Sequence, residues 1–223
     1  MSLSQARGVL LQAVRAFGVE PRSEVFAIAA LVEQPLRHRF GGASPIYIVV
    51  GPGSSGLARA IGYVLNGTDE PKQCTTEARF EIITEQAATA AAVVIKPPPW
   101  KICEEALGRL ATAPTFFGRG RNRGKVFGRC VTVLDLGEDE DEAPEALRWK
   151  LVRLVAPRGG RAANVRRDDI LRALDAVVAA WRHHAEPEGP ELLRGWGPWN
   201  RRVGGVLAHA GLAPDAAARA HLG

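Results

Sequence analysis

Residues 46–65 read IYIVVGPGSSGLARAIGYVL. An apolar run, Ile46 to Val50, leads into Gly51-Pro-Gly-Ser-Ser-Gly56. Leu57, Ile61, Val64 and Leu65 then fall on one helical stripe, and Asn66-Gly67 supplies a stop. The run is β-branched and aromatic throughout, as in a parallel strand covered on both faces. Strand, glycine turn and helix in that order are the layout of a phosphate-binding loop, in which backbone N–H groups and a helix N-terminus face an anion. The expected class is therefore α/β, with a P-loop NTPase-like parallel sheet as its core.

A working loop of this kind reads G-x-x-x-x-G-K-[ST]. Its lysine neutralises the β- and γ-phosphates, and its hydroxyl holds Mg²⁺. Gly51 and Gly56 have the right separation, and the phosphate-loop-like set is Gly51, Gly53, Ser54, Ser55 and Gly56. The next two residues are Leu57 and Ala58, which bring neither charge nor hydroxyl. Arg59 comes two places late, on a different face of the helix. The backbone alone still suits an anion. The plain alternative is a tight strand-to-helix turn that binds nothing, and the frequency of chance glycine motifs favours it.

The second element of an ATPase is an acid at the end of an apolar strand. Ala87 to Ile95 ends as a buried strand, but Lys96 and three prolines follow it, so the charge there is reversed. Glu104 and Glu105 come only after the prolines. Two independent elements thus depart in the same direction, toward loss of hydrolysis. The expected catalytic set is empty, and no cofactor is expected; the alternative is ATP with Mg²⁺, using Arg59 and Glu104 or Glu105.

Outward from this centre, the spacing predicts helices over 3–17 and from Ser23 to about Leu36, closed by Gly18 and Gly41-Gly42. Phe80 to Ile83 fits a strand or a short helix, and Cys103 to Leu110 a helix. Cys130 to Leu136 (CVTVLDL) is a further strand, and Leu147 to Val155 has an amphipathic pattern. Asp168 is the expected N-cap of a long helix to about His184, and a last helix follows Trp196 and Trp199. Strands are expected between 46 and 136 only, with an all-helical chain beyond Asp168. The expected division is 1–42 (N-terminal helices), 43–156 (the α/β core) and 157–223 (a C-terminal helical region).

Between Phe117 and Cys130 lies a basic, glycine-broken segment carrying Arg119, Arg121, Arg123, Lys125 and Arg129. Such a segment follows a phosphate backbone well. It is equally well read as a solvated loop balanced by the acidic run Glu138 to Glu142. The net charge of +5 permits nucleic-acid binding without establishing it. The three cysteines are widely spaced, in keeping with buried thiols in a reducing compartment. The five histidines form no metal-ligand spacing. There is no membrane-spanning run and no signal-peptide pattern, so the expected location is cytoplasmic.

Several segments, in order, resemble the ATPase domain of phage and plasmid primase–helicase replication proteins. ALVEQPLRHRFGGASPIYIVV is similar to the lead into that family's P-loop, and GSSGLARAIGYVLNG to the loop and its helix. VVIKPPPWKICEEALGRLATAPTFFGR is similar to the Walker B strand and the helix after it. GRCVTVLDL resembles a strand that ends the ATPase core, and ILRALDAVVAAWRHH and WGPWNRRVGGVLAHAGL resemble the closing helices. The likeness spans about Val25 to Leu212. It implies a RecA/AAA-like α/β core, ATP and Mg²⁺, ring assembly on DNA and helicase activity. By position, Gly51 to Gly56 stand for the phosphate loop, with Leu57 and Ala58 a degenerate Walker A. Lys96 stands for the Walker B acid, and Arg129 for an arginine finger. The chain departs from the family at Leu57, Ala58 and Lys96, and the sensor strand is missing from the short span between Arg119 and Cys130. The expected function is a non-catalytic P-loop ATPase-like module that binds DNA or a partner protein, either copies of itself or an active ATPase. The alternatives are an active NTPase with unusual ligands and a ligand-free structural relic.

Overall fold

The computed structural model describes residues 1–36, 43–68, 90–96, 107–108, 111–112, 115–117, 126–128, 130–138, 151–160 and 165–213. Two helices come first, α1 (Leu3–Ala16) and α2 (Glu24–Leu36). Then follow β1 (Ile46–Val50), α3 (Ser54–Asn66), β2 (Ala92–Ile95), a pair of short strands β3 (Thr115–Phe117) and β4 (Val126–Gly128), β5 (Val131–Gly137) and β6 (Leu151–Val155). The chain closes with α4 (Arg167–His183), α5 (Gly197–Trp199), a π-helical turn (Asn200–Gly204) and α6 (Gly205–His209).

Four strands form a parallel sheet in the order β2-β5-β1-β6. The protein is thus α/β, consistent with a P-loop-like core flanked by N-terminal and C-terminal helices. Strand β1 is central, and every one of its residues is buried, which is why its apolar run is unbroken. Tyr47 and Val49 share one face with Val131, Val133, Ala92, Val94, Val152 and Leu154. That face merges into one continuous core with α1, α2, α3, α4 and α6. Ile46, Ile48, Val93, Ile95 and Leu134 are buried on the other. Each fully buried Leu or Ile here contributes about 1.5–3 kcal/mol of transfer free energy.

Local chemistry explains the helix limits. Ser2 and Gln5 form a reciprocal capping box at the start of α1. Gly18 (φ +82) turns the chain after α1, and Gly67 (φ +77) ends α3 in the left-handed conformation. Asn66 then pins the next strand. Its Oδ1 accepts from the amides of Ala91 and Ala92 at 2.9 Å each, and its Nδ2 donates to Ala92 O at 2.8 Å.

The structure departs from the sequence-based expectations at four places. The amphipathic pattern before Val155 belongs to a strand, β6, beyond the range expected for strands; buried Val152 and Leu154 alternate with exposed Arg153, a period of two. Helix α3 begins at Ser54, inside the segment read as a loop. The N-cap of α4 is Arg166 rather than Asp168, and Asp168 lies in the first turn, where its charge complements the helix dipole. The closing helix carries the π-helical turn, whose Asn200 side chain accepts from the Leu192 and Leu193 amides. Cys130 is a buried free thiol, whereas Cys74, Cys103 and the segments 80–83 and 103–106 lie outside the described residues. No described helix is long and apolar enough to cross a membrane.

Candidate functional site

Strands β1, β5 and β2 end side by side, at the carboxyl edge where open parallel sheets place their ligands. The turn after β1 is short: only Gly51, Pro52 and Gly53 separate Val50 from Ser54. Its amides are already bonded within the chain. Gly51 N–H donates to Gly137 O at 2.7 Å, Gly53 N–H to Ala156 O at 2.8 Å, and Ser54 N–H to Gly51 O at 2.9 Å. An open phosphate loop aims such groups at the ligand.

The glycines serve a different need. Gly51 adopts φ +99 with its α-carbon pressed toward Ala156 O. A Cβ on Gly53 would lie 2.0 Å from Arg158 O. A Cβ on Gly18 would lie 2.5 Å from the same carbonyl, and a Cβ on Gly160 would stand 2.3 Å from Phe17 C. Three backbone segments therefore cross in contact: the end of α1, the turn after β1, and a strap over residues 156–160. A Cβ on Gly56 would come no closer than 4.0 Å to the strap, at Gly160 N. Leu57 and Ala58, at the positions of the lysine and hydroxyl, are buried in the core.

Polar chemistry gathers one residue further on. Ser55 Oγ donates to Asp135 Oδ2 at 2.6 Å, and Lys96 Nζ donates to Ser55 Oγ at 3.2 Å. The Gly137 amide donates to the second oxygen, Asp135 Oδ1, at 3.2 Å. Asp135 is buried at the end of β5, and Lys96 is exposed at the end of β2. The β-bulge that pairs Val49 with Asp135 but Val50 with Gly137 turns the strand end at this point. Of the expected site residues, Ser55 and Lys96 meet here. Asp135 was missed, although an acid near the end of an apolar strand is the signal for it. Arg59 is exposed on α3, outside these contacts.

A Mg²⁺-nucleotide does not fit this arrangement. Mg²⁺ takes oxygen ligands in near-octahedral geometry. Ser55 and Asp135 offer such oxygens, yet the Lys96 ammonium is already held on the serine. Three amides of the phosphate-loop-like set, those of Gly51, Gly53 and Ser54, are spent on carbonyls.

The basic residues Arg119, Arg121, Arg123 and Lys125, and the finger-like Arg129, lie outside the described residues, as do Glu104 and Glu105. The strands flanking the basic stretch pair antiparallel, with Thr115 opposite Gly128 and Phe117 opposite Val126. The stretch therefore joins the two strands of a β-ribbon inserted directly before β5.

A second polar centre, unforeseen in the sequence, lies inside the core. Glu33 is fully buried and accepts from Ser44 Oγ, from Tyr47 OH at 2.8 Å and from Trp199 Nε1 at 3.0 Å. Burial pushes the Tyr47 phenol well above its usual value, and the charge and hydrogen bond of Glu33 push it further, against a smaller opposing effect of Trp199. No group of three or more potential metal-ligating side chains forms among the described residues. His184 and His209 meet with ring centroids 4.6 Å apart.

The fold and this edge define an α/β protein with a closed glycine turn and a Lys-Ser-Asp cluster. No protein-family model matches the chain, and no curated protein matches it in sequence.

Proposed function

We propose that this chain is a non-catalytic P-loop ATPase-like module, related to phage and plasmid replication helicases, that acts by binding DNA through the basic stretch Arg119 to Lys125. The observation that carries the reading is the occupied turn: the amides of Gly51, Gly53 and Ser54 are bonded to carbonyls of the chain itself. A turn closed in this way turns the Gly51 and Gly53 amides away from any ligand. Other surfaces use other residues and outlive that closure. The stretch Arg119 to Lys125 lies in sequence between the paired strands β3 and β4, and its charge and glycines suit a phosphate backbone.

The test is fluorescence anisotropy of the full chain with labelled single- and double-stranded DNA over a range of salt. Replacing Arg119, Arg121 and Arg123 together by Ala should weaken binding and lower the slope of log K against log salt by roughly 2–3 on duplex DNA, at about 0.9 per phosphate contact. Affinity that is insensitive to salt, or unchanged in the triple variant, overturns the DNA reading and leaves a protein partner or a relic. Mg²⁺-dependent ATP turnover lost in Arg59→Ala overturns the non-catalytic reading.

A further inference from the structure

The Lys96–Ser55–Asp135 contact runs through one hydroxyl. A serine hydroxyl donates a single proton, and that of Ser55 goes to Asp135. Its oxygen is left as an acceptor, and the Lys96 ammonium donates to it. Asp135 is buried, and its other oxygen accepts from the Gly137 amide. A buried carboxylate needs a compensating charge nearby. The only cation among the described residues hydrogen-bonded into this cluster is Lys96, one hydroxyl away. The pair Ser55 and Asp135 is otherwise a hard-oxygen donor set of the kind that divalent cations take.

We infer that Lys96 is a tethered cation that takes the place of a divalent metal ion at the Ser55–Asp135 pair, making this site blind to Mg²⁺ and Mn²⁺. The inference rests on the reading of the chain as a non-catalytic relative of metal-dependent ATPases, and it assigns the loss of metal binding to one side chain. An ammonium on a flexible stem supplies the charge that the buried carboxylate needs. It also occupies the serine oxygen and repels a second cation. A lysine at the end of β2 thus preserves the polar edge of the sheet with no bound ion.

The experiment uses the full chain and two metals, Mg²⁺ in thermal melts and Mn²⁺ in electron paramagnetic resonance. The unaltered protein should melt at the same temperature in MgCl₂ and in EDTA, and should leave Mn²⁺ free. Lys96→Asp should gain a metal response: a melting rise of roughly 3–6 °C at a tenfold excess of Mg²⁺ over its Kd. Lys96→Met, which removes the charge and leaves Ser55 and Asp135, should show a smaller rise in the same direction. Adding Ser55→Ala to Lys96→Asp should reduce the gain. Tight binding of Mn²⁺ by the unaltered protein overturns the inference, even if neither variant folds. So does the absence of any metal response in a Lys96→Asp protein with unaltered circular dichroism. DNA anisotropy is read in parallel. Loss of DNA binding with the metal pattern intact refutes the DNA reading alone, and a metal-binding parent with intact DNA binding refutes the tethered cation alone.

Discussion

Gly53→Ala and Gly56→Ala should have opposite effects. In a phosphate loop both glycines serve the anion, and Gly56 is the one that precedes the lysine. In this structure Gly53 lies under the strap, where a new Cβ would meet Arg158 O at 2.0 Å, while a Cβ on Gly56 would stay 4.0 Å from Gly160 N. The clash involves main chain on both sides, so no side-chain rotation relieves it. Forcing the strap outward costs about 1–3 kcal/mol by analogy with overpacked cores. The Gly53 N–H to Ala156 O bond is stretched with it, adding about 0.5–1.5 kcal/mol. The sum, roughly 1.5–4.5 kcal/mol, lowers the melting temperature by about 3–18 °C for a chain of this size. Gly56→Ala, inside α3, should be neutral or stabilise by up to about 1 kcal/mol, since alanine has the higher helix propensity. Urea denaturation of both variants beside the parent gives the comparison. If Gly53→Ala lies within about 0.5 kcal/mol of the parent, the crossing of strap and turn is not what requires the glycine, and the closed-turn argument fails.

Two further outcomes follow from the polar contacts. Tyr47 is held neutral in the folded state with its phenol raised well above the ordinary value of 10.0, so its contribution is fully present below about pH 10 and is lost as pH rises through the folded value. Urea melts over rising pH should show a steeper alkaline loss of stability in the parent than in Tyr47→Phe; parallel curves would refute this. Asn66→Ala removes three hydrogen bonds at the start of β2 and should cost roughly 2–4 kcal/mol by chemical denaturation, with amide exchange at Ala92 accelerated; slow exchange there would show that the strand holds without its pin.

The parallel α/β core was legible because β1 and α3 carry their signals locally. Five consecutive buried residues in β1, and an apolar stripe at Leu57, Ile61 and Val64, need no partner to be recognised. Strand β6 was missed since exposed Arg153 gives a short segment an alternation that also passes for a helix face. The role of the glycines was hidden for a different reason. A glycine needed for a phosphate and one needed for a crossing chain look the same in one dimension, and the strap lies about a hundred residues downstream of the turn it covers. Lys96 stood out by the sign of its charge, but its partner Ser55 is 41 residues away, and Asp135 is 80 residues from that serine. The Glu33 centre was illegible on the same grounds: an acid within an otherwise apolar helix is noticed only once Tyr47 and Trp199 are seen to converge on it.

That centre bears on the order in which the chain becomes native. Trp199 donates to a carboxylate 166 residues earlier, in the same core where α1 and α2 meet α4 and α6. A nascent chain emerging from the ribosome presents Glu33, Ser44 and Tyr47 long before Trp199 exists. Until then the carboxylate lacks one donor and the cover of the closing helix, so the N-terminal helices dock in final form only after Trp199 has been synthesised. Contacts so distant in sequence slow folding. The face that α1 turns to α4 likewise lacks its native cover until residues 167–183 have been made.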